Sequence, residues 1–249
     1  MFIVAIVEMK GQADEVARAL ASELATTPYE LKLAFNAGLP AVILVTADEV
    51  LAQAAAQAIR RQGHGAVVCD RQHVVASSDM TTLRKFHFEP SALVPEEGSP
   101  LRLEYQEVTA LLRATHRTSS ETTEQVKERK LRPVMAVMTG GLVLSKTTER
   151  TVTSNAAHNE QVLYLFSRAQ RPWLLRERSA QYFGLGALLS ASSFENFGTT
   201  IQQLRQRCSN AIYDERLKTS RPMRGVADGV AASDIYAHLL AQYLSKARA

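Results

Sequence analysis

The sequence is poor in cysteine. Its 249 residues include only two, Cys69 and Cys208, which are far apart and lie outside any CxxC or Cys/His spacing. Neither a disulfide framework nor a zinc site is therefore indicated. Both residues are expected to be small buried side chains.

Motifs for phosphate binding and catalysis are also absent. The glycine clusters Gly140-Gly141 and Gly184-Leu-Gly186 match neither GxGxxG nor GxxxxGK[ST], and the chain has no GxSxG, HExxH or DxD-type pair. The six histidines are scattered, without a cysteine or an acid at ligand spacing. We therefore expect no cofactor, no metal and no enzymatic activity. The alternative that stays open is an enzyme whose site is assembled from distant positions at the junction of two domains.

Long apolar runs are missing as well. No segment approaches the roughly 18 consecutive apolar residues of a membrane span. The N-terminal stretch MFIVAIVEMKGQADE lacks a basic region before its apolar run and is acidic after it. These features predict a cytoplasmic protein. With 46% hydrophobic and 22% charged residues, the composition is that of a folded chain, for which we expect two domains.

Charge is unevenly distributed along the chain. Residues 1–89 contain eight Lys/Arg and ten Asp/Glu, a net charge of −2, whereas residues 90–249 contain 21 and 15, a net charge of +6. The second part is therefore the one expected to meet an anionic partner.

The first 75 residues predict an α/β domain with the order β-α-α-β-α-β. Thr27, Pro28 and Glu30 form the pattern of a capping box that starts a short second helix. The next helix is expected over Asp48–Gln62, ended by Gly63. Its predicted apolar residues are Val50, Leu51, Ala54, Ala58 and Ile59. Two helices on one face of a small sheet would complete a layered sandwich.

This order, with the stretch TTPYELKLAFNAG before the second strand, resembles the C-terminal domain of ribosomal protein L7/L12 over residues 1–75. Members of that family present basic residues and glycines around the second helix to recruit GTPase factors. Here the segment carries only Lys32. The resemblance therefore implies the fold and not the ribosomal role.

Residues 76–100 are predicted to be a linker, because they combine Pro90, Pro95, Pro100 and a Ser-Ser-Asp cluster. Phe86 and Phe88 interrupt it and are expected to hold it against one of the domains.

Residues 101–210 predict a mainly antiparallel β domain closed by one helix. The helix is expected to begin near Ser192 or Ser193. Its expected apolar face is Phe194, Phe197, Ile201, Leu204 and Cys208. A strand-rich meander that ends in one amphipathic helix resembles the pleckstrin-homology-like superfold. The whole chain would thus be α+β, with a long polar hairpin inserted at 113–160.

A tail, 211–249, follows this domain. It is expected to be basic and irregular from Asp214, and then to form an amphipathic helix over Ser233–Lys246. A lone helix of this length is marginal in water, so it must dock on its own protein or on another.

The strongest functional lead is a basic ribbon with an apolar tip, residues 127–150. The proposed binding residues are six basic ones, Lys127, Arg129, Lys130, Arg132, Lys146 and Arg150, and four apolar ones, Met135, Met138, Leu142 and Leu144. An exposed apolar tip, whether strand or short helix, indicates an interaction site. We expect an adaptor that binds another protein or itself. An anionic membrane surface is the alternative partner, and nucleic acid is disfavoured because aromatic residues do not interleave with the basic ones.

Overall fold

The computed structural model of the protein describes residues 1–95, 100–131, 145–219 and 230–246. These residues form an α+β structure with five α-helices and three β-sheets. By contacts the chain divides into two compact units. One, called the body here, is Met1–His116 with Glu160–Ala249, and the other, the hairpin unit, is Arg117–Asn159.

The first 70 residues have the predicted order of elements. Three strands form a sheet with order β2-β1-β3, in which both pairs are antiparallel. The elements are β1 (Phe2–Glu8), α1 (Ala13–Ala21), α2 (Pro28–Phe35), β2 (Ala41–Thr46), α3 (Glu49–Arg61) and β3 (Gly65–Asp70). Val4 and Ile6 pack against the helices on one face, while Ile3, Ala5 and Val7 belong to a different core on the other.

Local sequence signals account for the ends of these helices. Thr27 and Glu30 form the predicted capping box, with Pro28 in the first turn of α2. The Asp48 carboxylate accepts from the backbone N–H groups of Val50 and Leu51 at 2.8 and 3.1 Å. After α3, Gly63 adopts a φ of +85°, which turns the chain toward β3.

In the described ranges, nine further strands build the other two sheets. They are β4 (Thr81–Thr82), β5 (Lys85–Phe88), β6 (Ala92–Val94), β7 (Leu103–Glu104), β8 (Val108–Leu131), β9 (Ser145–Ser167), β10 (Trp173–Arg176), β11 (Gln181–Gly184) and β12 (Ile212–Leu217). The five-stranded sheet has the order β12-β8-β9-β10-β4, and the four-stranded sheet has the order β11-β5-β6-β7. Three pairs, β12/β8, β10/β4 and β11/β5, are parallel, which the predicted antiparallel meander did not include.

Two segments expected to be irregular instead contain strands. Within 76–100, β4, β5 and β6 join two different sheets, because buried Leu83, Phe86 and Leu93 supply apolar contacts to them. In the predicted tail, β12 pairs with β8 from Ile212 to Leu217, so the prediction that the chain is irregular from Asp214 is wrong.

Helix α4 (Ser193–Arg207) covers a second core. Its Ser192 cap accepts from the backbone N–H of Glu195, as the sequence predicts. Phe197, Ile201, Leu204 and Cys208 pack with Trp173 and its neighbouring strands. Both cysteines are buried, as expected. Phe194 departs from the predicted apolar face, because 61% of its surface is exposed.

Helix α5 (Ala232–Lys246) docks on its own chain. Its buried residues join one core with the first and five-stranded sheets. The members include Ile3, Ala5, Val7 and Val67 of the first sheet, Ala110, Leu112, Tyr164 and Leu174 of the five-stranded sheet, and Ile235, Leu239, Leu240 and Leu244 of α5. This position decides between the two alternatives that the sequence left open.

Two glycines provide a matched test of the packing around β11. A Cβ on Gly184 would lie 2.1 Å from the Phe86 carbonyl oxygen, whereas a Cβ on Gly198 in α4 meets no atom within 4 Å. Gly184→Ala should therefore destabilise the protein by about 2 kcal/mol or more. Gly198→Ala should stabilise α4 by up to about 1 kcal/mol. Urea unfolding at low protein concentration measures both, and equal effects would contradict the close approach at Gly184.

Candidate functional site

The structure places the predicted binding residues in two groups. Lys127, Arg129 and Lys130 lie in β8, and Lys146 and Arg150 lie in β9. For these five the backbone is described and the side chains are outside the described part. Arg132, Met135, Met138, Leu142 and Leu144 lie outside the described residues altogether. The apolar tip, for which the sequence left a strand and a short helix open, also lies outside the described residues.

The body contains a buried polar cluster that the sequence analysis did not find. It lies where α5 meets β8, β9 and the segment after β3, and its members are Ser77, His116, Tyr164 and Asp234. Asp234 and Tyr164 are 1% and 0% exposed. Buried polar groups of this kind must find hydrogen-bond partners within the fold.

The directions of the hydrogen bonds follow from the number of protons available. Tyr164 has one hydroxyl proton, which it donates to Oδ1 of Asp234 at 2.6 Å. The Tyr164 oxygen must therefore accept from Nε2 of His116, 2.5 Å away. On the other side, the Ser77 backbone N–H donates to Oδ2 of Asp234 at 2.8 Å, and the Ser77 hydroxyl donates to Oδ1. The result is a continuous relay from His116 through Tyr164 to Asp234.

The electrostatics keep this relay in one protonation state. Burial lowers the pKa of His116, and the nearby Asp234 charge opposes that shift. Burial and the same carboxylate raise the pKa of Tyr164 well above its usual value. At neutral pH the imidazole is thus neutral and the phenol protonated. The buried Asp234 carboxylate bonds Tyr164 of β9 and Ser77 of the segment after β3. These hydrogen bonds hold the start of α5 against the five-stranded sheet.

An open cleft of about 440 Å³ lies beside the relay, between α5 and the ends of β3 and β9. Its polar and titratable lining consists of Cys69, Asp70, His73, Thr109, Ser167, Arg168, His238, Gln242 and Ser245. His238 accepts from the Val75 backbone N–H through Nε2 at 3.1 Å, so the neutral ring carries its proton on Nδ1. The His238 and Phe166 rings pack in a T-shaped arrangement, with their centroids 5.1 Å apart. Burial lowers the pKa of His238.

The groups in the cleft do not form a nucleophile with its base. Burial, assisted by the charge of Asp70, raises the pKa of the Cys69 thiol to about 11, so it stays protonated and unreactive. Asp70 is engaged by the N-terminal amine at 3.5 Å and by the backbone N–H of Gln72 at 3.0 Å. His238 cannot act as a base through Nε2, which already accepts a hydrogen bond. In the described part of the cleft, the Cys69 thiol is thus protonated, and the Asp70 carboxylate and Nε2 of His238 are already engaged.

Within the described ranges, no group of three or more His, Cys, Asp or Glu side chains is arranged to hold a metal ion. None of the helices in this part of the chain combines the length and the hydrophobicity that a membrane span requires.

Comparisons with protein-family models, with curated proteins and with solved structures give no match.

The relay could not be found by spacing, because Ser77 and Asp234 are 157 positions apart. One weak signal exists in the sequence. Asp234 interrupts the start of an otherwise apolar helix, and Tyr164 is the only hydroxyl in the apolar run Val162–Phe166. Both are positions where a buried polar group needs a partner.

Removal of the Asp234 carboxylate should be strongly destabilising. Asp234→Ala would leave the Tyr164 hydroxyl and the Ser77 donors without an acceptor, at a cost of about 3 kcal/mol. The exposed Asp79 provides a matched control, and Asp79→Ala should change stability by less than about 0.5 kcal/mol. Thermal or urea unfolding of both variants is the measurement. Similar losses in the two would show that the relay does not anchor α5.

Acidification should weaken the fold through three histidines whose protonation the folded state disfavours. The folded-state pKa values of His64, His116 and His238 are all lowered. Below about pH 6.5 the unfolded chain therefore binds more protons than the folded one, and stability falls as pH decreases. Urea midpoints should thus drop between pH 7.5 and 5.5. His238→Gln, whose amide oxygen can still accept from Val75, should show a shallower drop, and a midpoint that rises toward pH 5.5 would contradict this account.

Proposed function

We propose that this chain is a non-enzymatic cytoplasmic adaptor that binds another protein, or a second copy of itself, through the ribbon 127–150. The supporting observation is that β8 and β9 continue as neighbouring strands of 24 and 23 residues into a compact unit of their own, 117–159. The proposed contacts remain the ten residues named from the sequence.

The need for a partner follows from the sheet pairing. Strand β12 pairs with β8 only as far along β8 as Ala114. Strand β10 pairs with β9 only from Val162 onward. Beyond these positions, the described part of the hairpin unit consists of two strands. A two-stranded ribbon is at best marginally stable in water, and its outer edges present backbone groups to which another strand can add. A partner that supplies such a strand would stabilise the ribbon.

The composition of the hairpin unit favours a partner with acidic groups. Residues 117–159 contain seven Lys/Arg and four Glu, a net charge of +3. An anionic membrane is the alternative partner, since the same basic residues flank the apolar segment 133–144. An enzyme with a site at the domain junction is the less supported alternative, because the titratable groups Cys69, Asp70 and His238 are already engaged.

The finer fold assignments are part of the same proposal. We assign 1–75 to an L7/L12-like sandwich and 101–210 to a pleckstrin-homology-like domain that carries the hairpin insertion. The order β-α-α-β-α-β supports the first, and the packing of α4 against Trp173 and its neighbours supports the second.

The ribbon can be tested by replacing 127–150 with a short Gly/Ser turn. We expect the full chain to retain specific partners in a quantitative pull-down and the replaced chain to lose them, while its melting temperature shows an intact body. Lys130→Glu should weaken capture, whereas Lys32→Glu, in helix α2 and outside the ribbon, should not. If the replaced chain captures the same partners at the same level, the ribbon is not the binding surface.

A vesicle assay separates the membrane alternative from protein docking. Sedimentation with anionic vesicles at low salt, weakened by Met138→Asp and by Lys130→Glu, would assign the ribbon to a membrane surface. Wild-type protein that stays in the supernatant would exclude that alternative.

A further inference from the structure

The cleft beside the relay has an apolar, buried floor and a polar, exposed rim. Three of its lining residues, Cys69, Phe166 and Ala241, are only 6–8% exposed and form the floor. Arg168 and Ser245 are exposed and stand at the rim. The volume of about 440 Å³ lies within the roughly 300–1,000 Å³ of small-molecule sites. Every lining residue belongs to the body.

One face of α5 supplies a wall of the cleft. Its four lining residues follow the i, i+3, i+4, i+7 spacing of a single helical face, and they are His238, Ala241, Gln242 and Ser245. The rest of the lining comes from the end of β3, the turn after it, the start of β8 and the end of β9 with the residue that follows it. Because Asp234 holds the start of α5 in place, this wall is formed before any ligand arrives. A preformed site loses less conformational entropy on binding.

His238 presents an N–H donor to the cleft. Its Nε2 accepts from the Val75 backbone N–H, so the neutral ring carries its proton on Nδ1. Among the described residues no group accepts from Nδ1, and no buried side-chain nitrogen or oxygen there lacks a partner. Nδ1 therefore reaches solvent, which meets this ring in the cleft. The side-chain amide of Gln242, one turn further along α5, adds a second donor.

The charge left over in the cleft is positive. Within the described lining Asp70 alone carries a carboxylate, which accepts from the Gln72 backbone N–H at 3.0 Å and lies 3.5 Å from the N-terminal amine. The amine offsets its charge. The guanidinium of Arg168 makes no hydrogen bond or ion pair with any described residue, and only its backbone N–H is engaged, by the Glu107 carbonyl at 3.2 Å. A guanidinium offers paired N–H donors that match a carboxylate or a phosphate.

We propose that this cleft binds a small organic anion, a carboxylate or a phosphate monoester that also carries an apolar group. The anionic head pairs with Arg168 at the rim, and the apolar group lies on Phe166 and Ala241 at the floor. The Nδ1–H of His238 and the Gln242 amide donate the remaining hydrogen bonds. This site lies in the body and shares no residue with the ribbon 127–150, so it neither requires the proposed adaptor function nor is required by it.

Titration calorimetry of the full chain with three probes tests the site. Benzoate and phenyl phosphate each combine an anionic head with a ring, whereas inorganic phosphate has the head alone. We expect saturable one-site binding of benzoate or phenyl phosphate with a dissociation constant of about 1 mM or less, and at least tenfold weaker binding of inorganic phosphate. The tighter of the two ring probes identifies the head group. No saturable binding of either ring probe up to about 10 mM, or inorganic phosphate that binds as tightly as they do, would overturn the proposal.

Two arginines provide a matched pair of variants. Arg168→Gln should raise the dissociation constant roughly tenfold or more, because the charge-assisted pair is lost. Arg171→Gln removes the same charge from an exposed position that does not line the cleft, and it should leave binding unchanged. Since both side chains are exposed, both variants should keep the wild-type melting temperature. Equal losses of binding in the two would show non-specific attraction of anions and would contradict the site.

A third variant tests the location without a change of charge. Ser245→Phe, at an exposed position in the last turn of α5, puts a ring into the mouth of the cleft and should weaken binding of the ring probes. The chain with 127–150 replaced should bind them as the wild type does, so a failure of this proposal is distinguishable from a failure of the adaptor function. Ser245→Phe protein that binds the ring probes with wild-type affinity would place them elsewhere and overturn the proposal.

Discussion

The fold depends on one buried carboxylate and the helix that carries it. At the start of α5, the Asp234 carboxylate accepts hydrogen bonds from the Tyr164 hydroxyl and from the backbone N–H and the hydroxyl of Ser77. Helix α5 then fills the space between two sheets that share no strand. Without it, the face of the first sheet formed by Ile3, Ala5 and Val7 would have to be covered by something else. The polar relay sets the position of the helix, while the apolar contacts supply most of its binding energy.

Local sequence signals predicted the local structure well. The capping box at Thr27–Glu30, Gly63 and the cap of α4 all act within four residues, so their effects do not depend on the rest of the fold. The predicted apolar face of helix α3 is correct only at its end, where Ala58 and Ile59 are buried. Val50 is 78% exposed, and the buried side is mostly alanine, whose small side chain gives little contrast between faces.

Long-range pairing could not be read from the sequence. Strand β12 has the polar sequence IYDERL, and its place beside β8 is set by a partner about 100 positions earlier. The two-residue strand β4 carries no pattern at all, since two threonines fit an edge strand and a loop equally well. The four members of the buried polar cluster, Ser77, His116, Tyr164 and Asp234, come from four segments. Each of them is unremarkable alone, and only the tertiary fold makes them a cluster.

The long sequence separations across α5 also determine when the molecule can be completed during synthesis. Tyr243 donates to Glu8 across 235 positions, and Ser77 bonds Asp234 across 157. The first sheet is finished at Asp70, yet the helix that covers its second face begins at Ala232. At about 5–20 residues per second, a ribosome needs roughly 8–32 s to make the intervening chain. Throughout that interval the second face of the first sheet lacks its covering helix. This apolar face is then a surface that a chaperone or a neighbouring chain can bind.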